Sequence, residues 1–151
     1  MIWFCDTSAL VKRYVQETGS RWFRHEVDRH NILIAHTTQV EVHAALATRY
    51  RAGTISIFSL YQARNNVADH IRRSLYQIRP LTESIVAKAT SLLPHHPLRA
   101  YDAVQLATAL DFLKSYVTET KRFRFLTADD QLEEAALAEG LKTDNPNRHP
   151  R

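Results

Sequence analysis

The sequence predicts an α/β fold built on a parallel sheet. Three observations predict it: short apolar runs alternate with longer stretches of helical period, glycine and proline number only three and five, and no repeat, low-complexity tract or linker divides the chain. A chain of 151 residues is one ordinary domain, able to bury roughly two-thirds of its unfolded surface around a single core. The domain is expected to span residues 1–144, with 145–151, rich in Pro, Asn and Arg, fraying as a tail.

Residues 2–5, Ile-Trp-Phe-Cys, are too short a run for a signal peptide or a membrane span and follow no basic stretch; they read as a buried strand ending at Asp6. Helical period follows over 8–15 and 21–30, and Ile32-Leu33-Ile34-Ala35 reads as the second strand. Helices over 38–52 and 57–76 come next, the latter with an apolar stripe of Ile57, Leu60, Tyr61, Ala68, Ile71 and Leu75 beside Arg64, Arg72 and Arg73. That stripe fits a helix laid on its own core, and its arginine edges also fit a partner helix. Tyr76-Gln77-Ile78-Arg79, before Pro80, gives a weaker strand signal. Helices over 84–93 and 98–116, a strand at 122–126, a helix over 128–138 and a last strand from Leu141 complete the alternation.

A hydrophobic share of 44% and a charged share of 24% describe a globular chain, not a disordered or membrane-embedded one. The single cysteine, Cys5, has no internal disulfide partner and lies in the first strand, so a reducing, cytoplasmic compartment and a core role are expected. Twenty basic residues against 16 acids leave a net charge of +4, which suits an anionic partner such as nucleic acid and equally suits a solvated basic surface.

Acids stand near the carboxyl ends of the expected strands: Asp6 directly after the first, Glu41 soon after the second, and Asp129 shortly after the 122–126 strand. Asp102 lies early in the helix of "RAYDAVQLATAL". Parallel neighbouring strands would bring the first three to one edge of the sheet, and Asp102 could reach the same cleft. Each has a structural alternative. Thr38-Gln39-Val40-Glu41 is a capping box, Asp6 or Ser8 can cap the first helix, Asp129 and Asp130 suit a first helical turn, and Asp102 fits a polar face with 105, 108 and 111. The lack of countercharge argues for function: three and four residues away, Glu41 has only Thr and Ala, Asp129 Leu132 and Glu133, and Asp6 Ala9 and Leu10, while Asp102 alone has Arg99. Carboxylates gathered without bases must take up protons or bind a cation, and oxygen ligands suit Mg²⁺ or Mn²⁺. Such ions activate water and steady the leaving oxygen of a phosphodiester, which points to a metal-dependent nuclease.

"DTSALVKRYV", "TTQVEVHAAL", "RAYDAVQLATAL" and "FLTADDQLEEAALAEGL" occur in the order and approximate spacing of the PIN-domain ribonucleases, and the chain resembles most closely those of the VapC toxin kind, from Ile2 to about Leu141. The resemblance implies a three-layer α/β/α sandwich with a mainly parallel five-stranded sheet. It implies an endoribonuclease that cuts single-stranded or loop RNA with Mg²⁺ or Mn²⁺ by in-line attack of a metal-activated water, leaving a 5′ phosphate and a 3′ hydroxyl. On that pattern Asp6, Glu41 and Asp102 match the core acids and Asp129, with Asp130 adjacent, the fourth; all four are the expected metal ligands, and Ser8 and Thr127 match hydroxyls that orient metal or water. It further implies the toxin of a toxin-antitoxin pair, inhibiting translation and growth, with a cognate antitoxin and a homodimeric state.

Other readings compete. A catalytically silent RNA-binding scaffold of the same fold is the main alternative. Zinc is disfavoured because the eight histidines match no ligand spacing, and His43 sits about 160° around the helix from Glu41. A signalling receiver needs paired acids after its first strand, where Asp6 stands alone. Lys12, Arg13, Arg49, Arg51, Arg64, Arg72, Arg73 and Arg99 are the candidates for tracking an RNA backbone, with a solvated face as the alternative for Lys12 and Arg13.

Overall fold

A computed structural model describes residues 1–116 and 118–150. Five strands, β1 (Ile2–Cys5), β2 (Asn31–Ala35), β3 (Tyr76–Arg79), β4 (Phe123–Leu126) and β5 (Thr143–Asp144), form one sheet in the order β3-β2-β1-β4-β5. Every pairing is parallel. The resemblance implied a mainly parallel sheet, and the observed one is parallel throughout. Strand β1 is central because its four residues are apolar and can be buried on both faces, as parallel strands require. Its alternation divides the core: Phe4 faces one layer, Trp3 and Cys5 the other.

Among the described residues seven α-helices pack around the sheet: α1 (Thr7–Leu10), α2 (Ser20–Glu26), α3 (Thr38–Arg51), α4 (Ile57–Arg72), α5 (Glu83–Leu92), α6 (Ala100–Tyr116) and α7 (Asp130–Ala138). Helices α5, α6 and α7 pack Ile85, Leu106 and Leu132 on the Phe4 face. On the opposite face α1 and α2 pack Leu10 and Phe23 against Trp3 and Ile34. A third cluster, with Val11, Val42, Leu46, Leu60 and Val67, joins α3 to α4 beyond the sheet. The result is the expected three-layer sandwich.

Some boundaries differ from the sequence reading. The expected 8–15 helix is a single α turn that tightens into a 3₁₀ turn at Val11–Arg13. The 57–76 helix stops at Arg72, where Ser74 takes φ 55° and turns the chain into β3. Residues 145–149, expected to fray, are docked: Pro146–Arg148 forms a 3₁₀ turn, Asn145 is buried, and the His149 ring stacks on Trp22 at 4.0 Å. Gly19 permits this docking, because with φ +82° a Cβ there would lie 2.3 Å from the Pro146 carbonyl oxygen. Among the described residues no helix is long and apolar enough to cross a membrane.

Candidate active site

The chain runs outward from β1 to β2 and β3, then returns to β4 and β5 on the other side, so strand order reverses between β1 and β4. Open α/β sheets bind ligands outside the carboxyl ends of the strands at such a switch point. Here those ends carry Asp6 and the Thr127–Asp129 loop. The backbone N–H of Asp6 extends the ladder to the Leu126 carbonyl at 3.1 Å.

Asp6 is 4% exposed. Its Oδ1 accepts the Ala9 N–H at 3.1 Å and caps α1, so the capping alternative and the site role occupy one side chain. Ser8 Oγ donates to Asp6 Oδ1 at 2.9 Å, accepts the Ala128 N–H at 2.8 Å, and lies 3.3 Å from Thr127 Oγ1. Thr127 is fully buried and accepts the Asp129 N–H at 3.1 Å, so it shapes the loop from beneath rather than lining the cavity. Asp129 Oδ1 caps α7 through the Leu132 N–H at 3.1 Å. Asp130 turns away to accept Asn145 Nδ2 at 3.1 Å. Burial pushes the Asp6 carboxyl up from 3.8 to about 7, against the Ser8 and Ala9 hydrogen bonds that pull it down.

Glu41 does not close the capping box; α3 starts without a side-chain cap. Its carboxylate instead accepts Thr7 Oγ1 at 3.1 Å and Gln105 Nε2 at 3.0 Å, two neutral donors from α1 and α6. Gln105 also reaches Thr38 Oγ1 at 2.8 Å, is 1% exposed, and leaves its own Oε1 without a partner among the described residues. The supposed polar face of α6 is therefore partly interior, since Thr108 is buried too. Thr7 and Gln105 were missed as site residues. The signal for Gln105 was a lone amide inside the apolar run Ala-Val-Gln-Leu-Ala, three positions after Asp102. Asp102, in the first turn of α6, pairs with Arg99 Nε at 3.5 Å.

Asp6, Glu41, Asp102 and Asp129 all line one cavity of about 680 Å³, together with Thr7 and Ser8. Among the described residues Asp6, Glu41 and Asp129 have no cationic side chain against them, and no histidine lines the cavity. No three Asp, Glu, His or Cys side chains among the described residues stand close enough together to hold one ion. An oxygen-only donor set around an uncompensated, buried Asp6 nonetheless suits Mg²⁺, which keeps several waters and takes only one or two carboxylates directly. Lys12 is excluded as an RNA contact: it is buried and bound to Glu17 at 3.1 Å and to the Thr18 carbonyl at 2.8 Å. Arg13 likewise pairs with Asp28 at 3.4 Å, so neither residue is on a solvated face. Arg49 and Arg99 line the cavity.

A family model described as PIN domain matches residues 3–138. The chain belongs to the PIN domain family. PIN domains are generally nucleases. Comparison with curated proteins finds no match. Among solved structures this PIN domain is similar to a toxin-antitoxin complex from Klebsiella pneumoniae, at 16% identity over 95% of this chain and 96% of that one with a TM-score of 0.61. It is also similar to FitAcB from Neisseria gonorrhoeae, at 16% identity, coverage of 97% and 98%, and a TM-score of 0.60. VapBC2 from Rickettsia felis, bound to a DNA fragment from its promoter, gives 12% identity, coverage of 96% and 98%, and a TM-score of 0.62. At these identities the likeness carries the fold of this PIN domain alone.

Proposed function

We propose that this PIN domain is a Mg²⁺- or Mn²⁺-dependent endoribonuclease, the toxin of a toxin-antitoxin pair. One observation carries the reading: four carboxylates from separate parts of the chain line a single cavity at the switch point of the sheet, and three of them have no cationic side chain against them among the described residues. Asp6 and Asp102 would hold the metal directly, with Glu41 and Asp129 acting directly or through water. When bound, the ion would supply charge to the phosphate and lower the pKa of water for in-line attack. Ser8 holds Asp6 in place, Thr127 shapes the loop that presents Asp129, and Thr7 with Gln105 fixes Glu41 without neutralising it. Arg99 is placed to leave Asp102 for a phosphate, because its side chain is 87% exposed.

The antitoxin partner is proposed from the toxin-antitoxin relatives and from α4, which exposes Ile57, Phe58 and Tyr61. Homodimerisation and a cytoplasmic location belong to the same reading. The test is incubation with total cellular RNA, with and without EDTA, followed by mapping of cut ends. Cleavage is expected in Mn²⁺, lost in EDTA and restored on adding Mn²⁺, with Asp6→Asn inactive though folded. Cutting by Asp6→Asn at near the parent rate would sink the reading, and RNA binding indifferent to chelation would favour the silent scaffold.

A further inference from the structure

The cavity holds more than an acid cluster uses. At about 680 Å³ it has the size of a site for a nucleotide-sized ligand rather than for a hydrated ion alone. Tyr101, the residue before Asp102, lines it while remaining 59% exposed. Helix α3 adds Val40, 74% exposed, with Ala44 and Ala45 on the following turn. An exposed aromatic ring and small apolar groups thus share a cavity with the Arg99 guanidinium, which attracts phosphate directly, and with carboxylates, which could meet one only through a bound cation.

Phosphate alone has no use for the apolar part. A nucleobase does, because its faces are flat and apolar, and stacking on tyrosine is available to every base. In a duplex those faces are already covered by neighbouring pairs, so only an unpaired nucleotide can present one beside its own phosphate. We propose that Tyr101, with Val40 lining the same cavity, is a stacking subsite for an unpaired base adjacent to the phosphate that Arg99 receives. The substrate is then a single-stranded stretch held by one splayed base, and the subsite is tolerant of base identity. This inference rests on the reading of the cavity as an RNA site.

The test uses the full chain carrying Asp6→Asn, in EDTA and low salt, with two fluorescein-labelled 12-nucleotide RNAs: one of mixed sequence, and one abasic throughout with the same ribose-phosphate chain. The parent is expected to bind the base-bearing RNA more tightly than the abasic one. Adding Tyr101→Ala should weaken the base-bearing RNA about tenfold and leave the abasic RNA unchanged, while Tyr101→Phe, which keeps the ring, binds as the parent does. Tyr101 is exposed, so thermal melts of the three proteins should coincide. No binding by the parent, equal affinity for the two RNAs, an unchanged affinity in Tyr101→Ala, or a loss shared by the abasic chain overturns the subsite. Cleavage by the unmodified protein in Mn²⁺ is scored separately. An intact stacking signature without cutting removes the hydrolytic reading and leaves the subsite standing; cutting without the signature does the reverse.

Discussion

Asp6 performs two tasks that conflict energetically. As the cap of α1 it accepts backbone and hydroxyl donors, which favour the carboxylate; its burial at the end of the central strand favours the neutral acid. Burial is the larger effect, and the carboxyl is raised to about 7. Between the ordinary value near 4 and about 7 the folded protein retains a proton that the unfolded chain has released, so folding stability falls as pH rises through that window and the penalty is complete above 7. Asp6→Asn removes the charge and keeps an oxygen for the cap. In EDTA it is expected to gain on the order of 2 kcal/mol at pH 8 and almost nothing near pH 4, because relief of several kcal/mol of desolvation is partly offset by a weakened Ser8 hydrogen bond. Urea melts at the two pH values would check this, and a gain independent of pH would show that the charge is not the cause. Glu41 illustrates how far local reading reaches. Its capping-box spacing was correct as a pattern, yet Thr7 and Gln105, 34 and 64 residues away, draw the carboxylate off. No local rule reports donors that arrive from other elements.

At the scale of elements, helix α4 shows a pattern that periodicity placed on the wrong residues. Leu60 is buried as expected and Ile71 is half-buried, but Ala63 and Val67 complete the core stripe, while Ile57, Tyr61 and Leu75 face solvent. Several overlapping stripes can be drawn on this helix, and only its packing against α3 selects one. The carboxyl-terminal segment makes the opposite point: a composition suited to fraying is held by specific partners. Arg148 Nη1 meets Glu133 Oε1 at 3.0 Å, and Glu133, buried on α7, has otherwise only Thr143 Oγ1, at 2.9 Å, among the described residues. Arg148→Ala leaves that carboxylate buried and undercompensated. A loss of about 1–2 kcal/mol is expected, less than for a fully buried pair because the Arg148 side chain is largely exposed. The Arg148→Ala/Glu133→Gln double variant should recover most of it. Thermal melts of both would decide, and equal melting of Arg148→Ala and parent would mean that the segment is held by Asn145 and the His149–Trp22 stack alone.

For the whole molecule, cation binding and folding are expected to be linked, since the acids of the cavity come from the β1–α1 junction, α3, α6 and the β4–α7 loop and meet only in the folded chain. An ion that binds this arrangement and not the unfolded chain stabilises by RT ln(1 + [L]/Kd), about 2.7 kcal/mol at a hundredfold excess over Kd. Mn²⁺ at pH 8 should therefore raise the melting temperature by several degrees, do so progressively less as pH falls below 7 and a proton competes for Asp6, and have little effect on Asp6→Asn. Differential scanning calorimetry would read all three. A rise of equal size in Asp6→Asn would place the ion elsewhere.

The sequence by itself determined the parallel α/β class, the reading of Ile2–Cys5 as a buried strand, nearly all the helices and strands, and the set of acids near strand ends, because these follow from periodicity, propensity and the absence of local countercharge. It also carried the order of motifs by which the family is identified. Only the tertiary structure decided which acid turns inward at Asp129-Asp130, that Lys12 is buried, that Gln105 belongs to the site, and that Tyr101 stands free beside the carboxylates. Those facts depend on contacts between residues far apart in the chain, and a linear pattern records what each residue prefers without recording which distant partner reaches it.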